Sequence, residues 1–210
     1  MVRIKICGIT NLDDALLAAE LGADALGFIF YPKSPRHVAP EAARRIIAHL
    51  PPFVAAVGVF VNEEAAFVQD LAAKVRLDWV QLHGRESPDY CRLLNLKVIK
   101  GFRIQDENSL QELEPFQGAV QALLLDTYKK GQVGGTGESF DWQLAREAKK
   151  YGRIILAGGL SPENVARAIE VAEPDAVDTA SGTEAAPGRK DPAKLSAFFQ
   201  AIAHEPLAHP

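Results

Sequence analysis

The sequence predicts an α/β fold, a single (β/α)8 barrel of eight parallel strands enclosed by helices. Short apolar runs alternate with helical patterns along the 210 residues, which is typical of βαβ units. The triplets Asp24-Ala25-Leu26, Asp78-Trp79-Val80 and Asp175-Ala176-Val177 recur where a helical pattern gives way to a strand. Their spacing corresponds to units of about 24 to 27 residues, as short loops require. Eight such units fill the chain, which favours a closed barrel, although periodicity alone does not exclude an open doubly wound sheet.

The eight predicted strands are apolar runs bounded by helix or turn signals. In chain order they are Val2–Cys7, Ala25–Phe30, Val54–Val61, Trp79–His83, Val98–Arg103, Ala122–Asp126, Ile154–Ala157 and Ala176–Asp178.

Helix starts are predicted from capping residues and from proline at the first helical position. Thr10 with Asp13 has the pattern of a capping box, and Ala39-Pro40 supplies the proline without a capping side chain. A capping side chain precedes a proline at Ser87-Pro88, Ser161-Pro162 and Asp191-Pro192. The apolar residues that follow at helical spacing predict one face of each helix packed on the sheet.

Composition indicates an ordinary globular protein, with 48% hydrophobic and 24% charged residues. These values exclude a disordered chain, and no apolar run is long enough to predict a membrane span. A net charge of −4 makes a nucleic acid an unexpected partner. Because no linker interrupts the repeats, we expect one catalytic domain over residues 1–203 and a short tail over residues 204–210.

The amino terminus mixes charged and aliphatic residues without the pattern of a secretory signal, so we expect a cytoplasmic protein. Cys7 and Cys91 lie 84 positions apart and form no CxxC motif, so we expect two free thiols and no metal site. Cys91 lies within a helical pattern and is expected to be a buried structural residue. A lone cysteine at a strand end, such as Cys7, is also most often a small buried side chain.

Three predicted strands end in side chains that can transfer or hold protons. Cys7 ends the first strand, Asp126 the sixth and Asp178 the eighth. The active site of such a barrel lies at the carboxyl ends of its strands. Because side chains alternate along a strand, an inward Cys7 shares its side with Lys5, and Asp126 and Asp178 face inward by the same parity. A thiol and two carboxylates at one mouth suit proton transfer without a cofactor.

Three further polar residues lie at the same predicted end of the barrel. The fourth strand ends with Gln81 and His83, and His83 is as easily a hydrogen-bonded structural residue as a substrate contact. Arg36 follows two prolines in the loop after the second strand. A guanidinium in a stiffened loop suits two-point capture of a carboxylate, although alone it could equally be a surface charge.

Glycine-rich turns follow the last three strands, at Gly134–Gly137, Gly158-Gly159 and Ser181-Gly182. Glycines there have a simple explanation as tight loops. The loops after strands seven and eight nevertheless often bind phosphate in such barrels. Since neither GxxxxGK[ST] nor GxGxxG is present, the expected small-molecule ligand is a sugar phosphate rather than a nucleotide.

Five segments together resemble the signatures of the phosphoribosylanthranilate isomerase family, in the same order and over essentially the whole chain. They are Lys5–Thr10, Gly27–Arg36, Val80–Gly84, Leu125-Asp126 with Gly134–Gly137, and Leu156–Leu160. The resemblance implies a (β/α)8 barrel that catalyses an Amadori rearrangement in tryptophan biosynthesis without a metal or organic cofactor.

The resemblance also implies roles for individual residues. Asp126 would be the general acid that protonates the furanose ring oxygen, and Cys7 the base that removes the C2 proton. Arg36 would hold the anthranilate carboxylate. Loop residues would bind the phosphate, and Asp178 and the strand-four pair would contact the substrate; the substrate-binding set is Arg36, Gln81, His83, Gly135, Gly158, Gly159, Asp178, Ser181 and Gly182. What favours the Cys7 thiolate is left open between Lys5, the field at the barrel mouth and the substrate itself.

The chain departs from the family pattern after the eighth strand. The family commonly has Asp-x-Ser-Ser-Gly-x-Glu, whereas Ala180 occupies the first serine position here. We therefore expect Ser181 and Gly182 to contact phosphate without a side-chain donor at position 180.

Two other functions compete with this interpretation. The first is that of another phosphosugar barrel enzyme. An aminoaldose-phosphate isomerase of histidine biosynthesis would need carboxylates at the ends of strands one and five, and an indoleglycerol-phosphate synthase would need lysines at the mouth of the barrel. A non-catalytic barrel that binds phosphorylated ligands would not need both Cys7 and Asp126. The family contains monomers and dimers, and we expect a homodimer.

Overall fold

Eight parallel strands close into a barrel in which each strand pairs with the next and the eighth pairs with the first. The structure, a computed structural model, describes residues 2–126 and 142–203. The predicted barrel is thereby confirmed, and the open sheet is excluded. The strands are β1 (Arg3–Cys7), β2 (Ala25–Ile29), β3 (Ala55–Phe60), β4 (Trp79–Leu82), β5 (Val98–Arg103), β6 (Ala122–Asp126), β7 (Ile154–Ala157) and β8 (Ala176–Thr179).

Helices occupy most of the connections between strands. The α-helices are α1 (Leu12–Glu20), α2 (Pro40–Ile47), α3 (Ala65–Val75), α4 (Pro88–Leu93), α5 (Trp142–Glu147), α6 (Val165–Ala172) and α7 (Pro192–Ala203), and 3-10 helices cover Glu107–Phe116, Ala148–Tyr151 and Ser181–Thr183. An antiparallel hairpin of β9 (Glu184–Ala186) and β10 (Arg189–Lys190) follows β8. In the described parts of the chain, no helix has the length and apolar character needed to span a membrane.

Several strand ends differ from the predicted ones by one or two residues, because a strand lasts only while its neighbours pair with it. β1 starts at Arg3, β2 ends at Ile29, β3 is shorter at both ends, and β8 extends to Thr179. At the end of β4, Leu82 pairs with both neighbours, whereas the His83 amide donates to the Phe60 carbonyl of β3.

Three of the predicted helix starts are confirmed and two are wrong. Proline occupies the first turn after Ala39 and Ser87, and Asp191 Oδ1 accepts amide hydrogen bonds at the start of α7. The other two predictions placed caps at Thr10 and Ser161. Asn11 caps α1 by accepting from the Asp14 amide, and α6 begins at Val165, one turn after Ser161.

The recurring aspartates of the sequence repeat have one structural role. Each lies just before a strand, and its Oδ2 accepts a hydrogen bond from a backbone amide of the preceding strand. Asp24 binds the Ile4 amide, Asp78 the Ala56 amide and Asp175 the Ile154 amide, each at 2.8 Å. The repeat therefore ties strand pairs together at the amino end of the barrel, opposite the predicted site.

Side-chain alternation divides the core into two parts. Leu123 and Leu125 of β6 belong to the large cluster under the helices, whereas Leu124 lies in the barrel interior. Asp126 shares the parity of Leu124 and follows it toward the mouth. The interior cluster consists of Val57, Ile99, Ala122, Leu124, Ile155 and Ala157, with Ala25, Trp79 and Ala176 packed against it.

Candidate active site

A buried ion pair lies beneath the thiol of Cys7. Lys5 and Asp178 are register partners on β1 and β8, and Lys5 Nζ donates to Asp178 Oδ1 at 2.8 Å. Burial disfavours the Lys5 ammonium, but attraction to Asp178 and Cys7 outweighs it and raises the pKa of Lys5. Lys5 is therefore a permanent cation next to the thiol, on the interior side that strand alternation predicts.

The environment of Cys7 favours the thiol over the thiolate. Burial raises the pKa of Cys7, and the Asp178 carboxylate raises it further. The cations Lys5 and Lys190 lower the pKa of Cys7 but do not overcome the burial. The second cysteine, Cys91, is buried in α4, where burial raises its pKa to about 11, in agreement with its expected structural role.

Three glycines make room for side chains of the site. A Cβ at Gly27 would lie 2.6 Å from Cys7 Sγ, and one at Gly8 would lie 2.7 Å from Cδ of Arg36. These distances are too short for any side chain. The third glycine, Gly101 of β5, leaves space for an imidazole.

That imidazole belongs to His83, which links strands β4 and β6. A Cβ at Gly101 would lie 2.5 Å from its Nδ1, and its Nε2 lies 3.7 Å from Asp126 Oδ2. Gln81 Nε2 approaches Nδ1 at 3.3 Å. An Nδ1 that accepts this hydrogen bond leaves Nε2, which faces Asp126, to carry the proton of a neutral ring. Gln81 Oε1 is buried and has no hydrogen-bond partner among the described residues, so it remains an acceptor for a ligand or water.

Arg36 does not stand alone in its loop. Its Nε donates to both carboxylate oxygens of Glu184, at 2.8 and 3.0 Å, and its Nη2 donates to Oε2 at 2.7 Å. The ion pair raises the pKa of Arg36. Burial opposes the charge of Glu184, but Arg36 and Lys190 outweigh it and lower the pKa of Glu184.

Lys190, in β10, joins this ion pair to the strand that carries the thiol. Its Nζ donates to the Cys7 carbonyl at 2.7 Å and to the Ala180 carbonyl at 3.0 Å, and it lies 3.5 Å from Glu184 Oε1. Its side chain is completely buried, and this burial lowers the pKa of Lys190. One ammonium therefore connects the end of β1, the loop after β8 and the carboxylate that holds Arg36.

The loops after β7 and β8 are in direct contact. Gly158 and Gly159 both have positive φ, 93° and 66°, which only glycine adopts readily. Thr179 Oγ1 donates to the Leu160 carbonyl at 2.7 Å, and a Cβ at Gly182 would collide with the same carbonyl. The two loops thus present glycine backbone together at one edge of the mouth, an arrangement suited to binding an anion.

The structure brings together most of the predicted site residues at the carboxyl ends of the strands. Cys7 and Asp126 lie on strands separated by β7 and β8, so they approach the mouth from different sides. Gly135, with the rest of the 134–137 turn, lies outside the described residues. Within the described ranges no group of His, Cys, Asp and Glu side chains is arranged to hold a metal ion.

Sequence reasoning missed Glu184 and Lys190. Glu184 is the last residue of the Asp-x-Ser-Ser-Gly-x-Glu pattern, but the pattern by itself indicates no partner for it. Lys190 precedes the Asp-Pro start of α7 and has no motif of its own. An available signal was the presence of these two charged residues five and eleven positions after the end of β8, at the catalytic face.

Known proteins match the chain over nearly its full length. The family model described as N-(5'-phosphoribosyl)anthranilate (PRA) isomerase matches residues 4–201. A protein of Geobacter metallireducens named N-(5'-phosphoribosyl)anthranilate isomerase is 54% identical over 200 residues, which cover 95% of this chain and 98% of the relative.

Two crystal structures of similar proteins add ligand and assembly information about those proteins. A phosphoribosylanthranilate isomerase in complex with reduced 1-(o-carboxyphenylamino)-1-deoxyribulose 5-phosphate is 45% identical, with a TM-score of 0.88 and coverage of 97% of this chain and 99% of that one. Monomers generated from the dimeric enzyme of Thermotoga maritima are 44% identical, with a TM-score of 0.86 and the same coverage.

Proposed function

Because the chain belongs to the N-(5'-phosphoribosyl)anthranilate isomerase family, we propose that Cys7 and Asp126 are the two proton-transferring groups of its reaction. The enzyme is an intramolecular oxidoreductase of tryptophan biosynthesis that converts N-(5-phosphoribosyl)anthranilate to 1-(2-carboxyphenylamino)-1-deoxyribulose 5-phosphate. The observation that carries the residue assignment is the inward parity of both side chains at the carboxyl ends of β1 and β6.

In the proposed mechanism Asp126 acts first, as the general acid. Its proton goes to the furanose ring oxygen, the C1–O bond breaks, and the anilino nitrogen supplies the electron pair that forms an iminium. The iminium makes the C2 hydrogen acidic, and Cys7 removes it as a proton, which leaves an enolamine. Proton gain at C1 and loss from the C2 hydroxyl then give the ketone. His83, whose Nε2 faces Asp126, is placed to orient that carboxyl group.

Cys7 must be a thiolate to act as the base. Burial raises the pKa of Cys7 more than the neighbouring cations lower it, so the thiolate is a minor form at neutral pH. Lys5 and Lys190 are the groups that lower its pKa, and we assign them the stabilisation of the thiolate during turnover. The rate of the step is then expected to increase with pH.

Substrate recognition is proposed to use both ends of the molecule. Arg36 would bind the anthranilate carboxylate through the guanidinium atoms that Glu184 does not occupy. The contacting loops would bind the phosphate through backbone amides, a proposal supported by the paired positive-φ glycines. The remaining contacts are assigned to Gln81, His83 and Asp178 along the mouth, to Gly135, and to Gly158, Gly159, Ser181 and Gly182 in the phosphate loops.

A homodimer formed at the amino end of the barrel is the proposed assembly. Phe53, between α2 and β3, is fully exposed and has a φ of 73°, a backbone conformation that costs a bulky residue about 1–2 kcal/mol. A large apolar side chain held outward in this way suits contact with a second copy. The dimeric state of the Thermotoga relative supports this choice.

The remaining proposals concern organisation and location. We assign residues 1–203 to one catalytic domain and residues 204–210 to a tail. A cytoplasmic location is proposed because phosphorylated substrates of biosynthesis are retained there.

The activity is tested directly with the purified protein. The fluorescence of N-(5-phosphoribosyl)anthranilate is expected to change as the substrate is consumed, at a rate proportional to enzyme concentration. Unchanged fluorescence under turnover conditions would contradict the assignment of this reaction.

A further inference from the structure

Arg36 is held in a fixed orientation by a carboxylate that has no assigned role in the reaction. The Nε and Nη2 atoms of Arg36 make three hydrogen bonds to Glu184, between 2.7 and 3.0 Å. The Glu184 side chain is only 4% exposed, whereas that of Arg36 is 22% exposed. Such a two-point pair fixes the plane of the guanidinium as well as its position. Its remaining atom, Nη1, is outside the ion pair.

Glu184 is itself anchored to the catalytic face. The Gly188 amide donates to its Oε1 at 3.2 Å, and the ammonium of Lys190 lies 3.5 Å from the same oxygen. Lys190 also donates to the carbonyls of Cys7 and Ala180. Glu184 and Lys190 therefore connect the Arg36 guanidinium to β1, which carries the thiol, and to the loop after β8.

The charges of this cluster do not balance. Arg36 and Lys190 carry two positive charges, and Glu184 supplies one negative charge, while the neighbouring Lys5 is already paired with Asp178. The surplus positive charge lies on a cluster that reaches solvent only at the partly exposed Arg36, so an anion bound there would be stabilised by it. A carboxylate on the ligand would supply the missing charge at the unpaired atom of Arg36.

We propose that Glu184 is a positioning residue for carboxylate recognition, which holds the Arg36 guanidinium at a fixed distance from Cys7 through Lys190. The proposal rests on the assignment of Arg36 to the anthranilate carboxylate. It explains why a buried carboxylate lies beside the group that must attract a carboxylate: Glu184 occupies one side of the guanidinium and orients the other. Glu184 does not itself touch the substrate or the reacting atoms.

The test compares two substrates that differ only in the carboxylate. The natural glycosylamine and the same compound prepared from aniline in place of anthranilate are assayed with the wild type, Glu184→Gln, Arg36→Met and the double variant. Ketose formation is followed by NMR, because the aniline compound lacks the natural chromophore. For the natural substrate, Glu184→Gln is expected to lower kcat/KM by about tenfold to a hundredfold, mainly by raising KM. The reason is that the charged hydrogen bonds that orient Arg36 are lost.

The pattern across substrates and variants distinguishes positioning from a structural role. With the aniline compound, the kcat/KM of Glu184→Gln is expected to lie within about twofold of the wild-type value, since this substrate has no carboxylate for Arg36 to bind. The double variant is expected to match Arg36→Met alone, because Glu184 acts through Arg36. Glu41→Gln, which removes an exposed carboxylate paired with Lys74, is the matched control and should leave both rates unchanged.

Glu184→Asp is a second variant that tests the proposal if Glu184→Gln does not fold stably. It retains the charge but shortens the side chain by one methylene, so the same loss on the natural substrate alone is expected. Equal losses on both substrates, or additive losses in the double variant, would overturn the proposal while leaving the role of Arg36 intact. If Arg36→Met itself retains full activity on the natural substrate, the assignment of Arg36 fails, and this proposal fails with it.

Discussion

His83 Nε2 lies 3.7 Å from Asp126 Oδ2 even though the strands that carry the two residues are separated by β5. The contact across an intervening strand is possible because Gly101 has no side chain at the point where the ring crosses β5. A glycine in the middle of a strand weakens it by lost chain entropy and packing. Here that cost has a geometric reason, since the ring could not otherwise reach the carboxyl group.

Replacing Gly101 with alanine is therefore expected to displace His83 from Asp126. The added Cβ would lie 2.5 Å from Nδ1, so the ring must move. Misplacement of this order near the acid is expected to reduce kcat by about tenfold or more. Steady-state kinetics measure the loss, and circular dichroism checks the fold. The matched control is His83→Ala with and without Gly101→Ala: once the ring is removed, alanine at position 101 should cost nothing further, and an additional loss would contradict this explanation.

Removal of the Cys7 thiol is expected to abolish base catalysis. Cys7→Ala should lower kcat by about 10²–10⁴-fold with little change in KM, the usual contribution of a general base. Cys91→Ala is the control, since Cys91 is a buried free thiol in α4 away from the mouth. Near-normal turnover by Cys7→Ala, or an equal loss in both variants, would contradict the role of Cys7.

Asp126→Asn tests the acid of the ring-opening step. An asparagine preserves the size of the side chain but has no acidic proton, so kcat is expected to fall by about 10²–10⁴-fold. A chemically opened or ring-less analogue of the intermediate would bypass this step. If Asp126→Asn were slow with the natural substrate and equally slow with such an analogue, Asp126 would not be the acid of ring opening.

The carboxylate of Asp178 is expected to control the ionisation of Cys7. Burial is the main reason that the pKa of Cys7 is raised, and the negative charge of Asp178 raises this pKa further. Asp178→Asn removes that charge and should therefore lower the pKa of Cys7. The thiolate is the reactive form, and more of it is then present at neutral pH. The pH dependence of iodoacetamide alkylation at Cys7, measured in a Cys91→Ala background, should shift to lower pH. Asp89→Asn, which removes an exposed carboxylate on α4, is the control and should leave the profile unchanged. If the profile of Asp178→Asn does not move, or moves to higher pH, the prediction is refuted.

The exposed Phe53 is expected to hold two copies together. In analytical ultracentrifugation the wild type should sediment as a species of twice the 22.8 kDa chain mass. Phe53→Ser should shift it toward the monomer at micromolar concentration, because the central apolar contact is lost. Phe67→Ser, on α3, changes another exposed phenylalanine and should have no effect. Wild-type protein that sediments only near 22.8 kDa would rule out the dimer.

Patterns along the chain were sufficient to predict the barrel and to predict which strand side chains face its interior. Eight units of similar length have few ways to pack. Strand alternation is a local property, and it is enough to predict that Lys5 and Cys7 lie on the interior side. Capping was less certain, because Thr10 and Asn11 are both good caps and the sequence does not distinguish them. Asn11 binds the Asp14 amide, whereas Thr10 Oγ1 donates to the Gly188 carbonyl, a partner that only the folded chain brings near.

The sequence by itself determined the fold, the family and the line of inward polar residues at the strand ends, since these depend on short-range periodicity and on motifs. Only the tertiary structure decided what those residues contact. Arg36 and Glu184 are 148 positions apart, and Lys190 meets the Cys7 carbonyl across 183. Barrel closure brings β8 and its following loop against β1 and β2, and the resulting burial makes each charge depend on its partner. Such pairings arise from closure in three dimensions, and no local pattern in the chain encodes them.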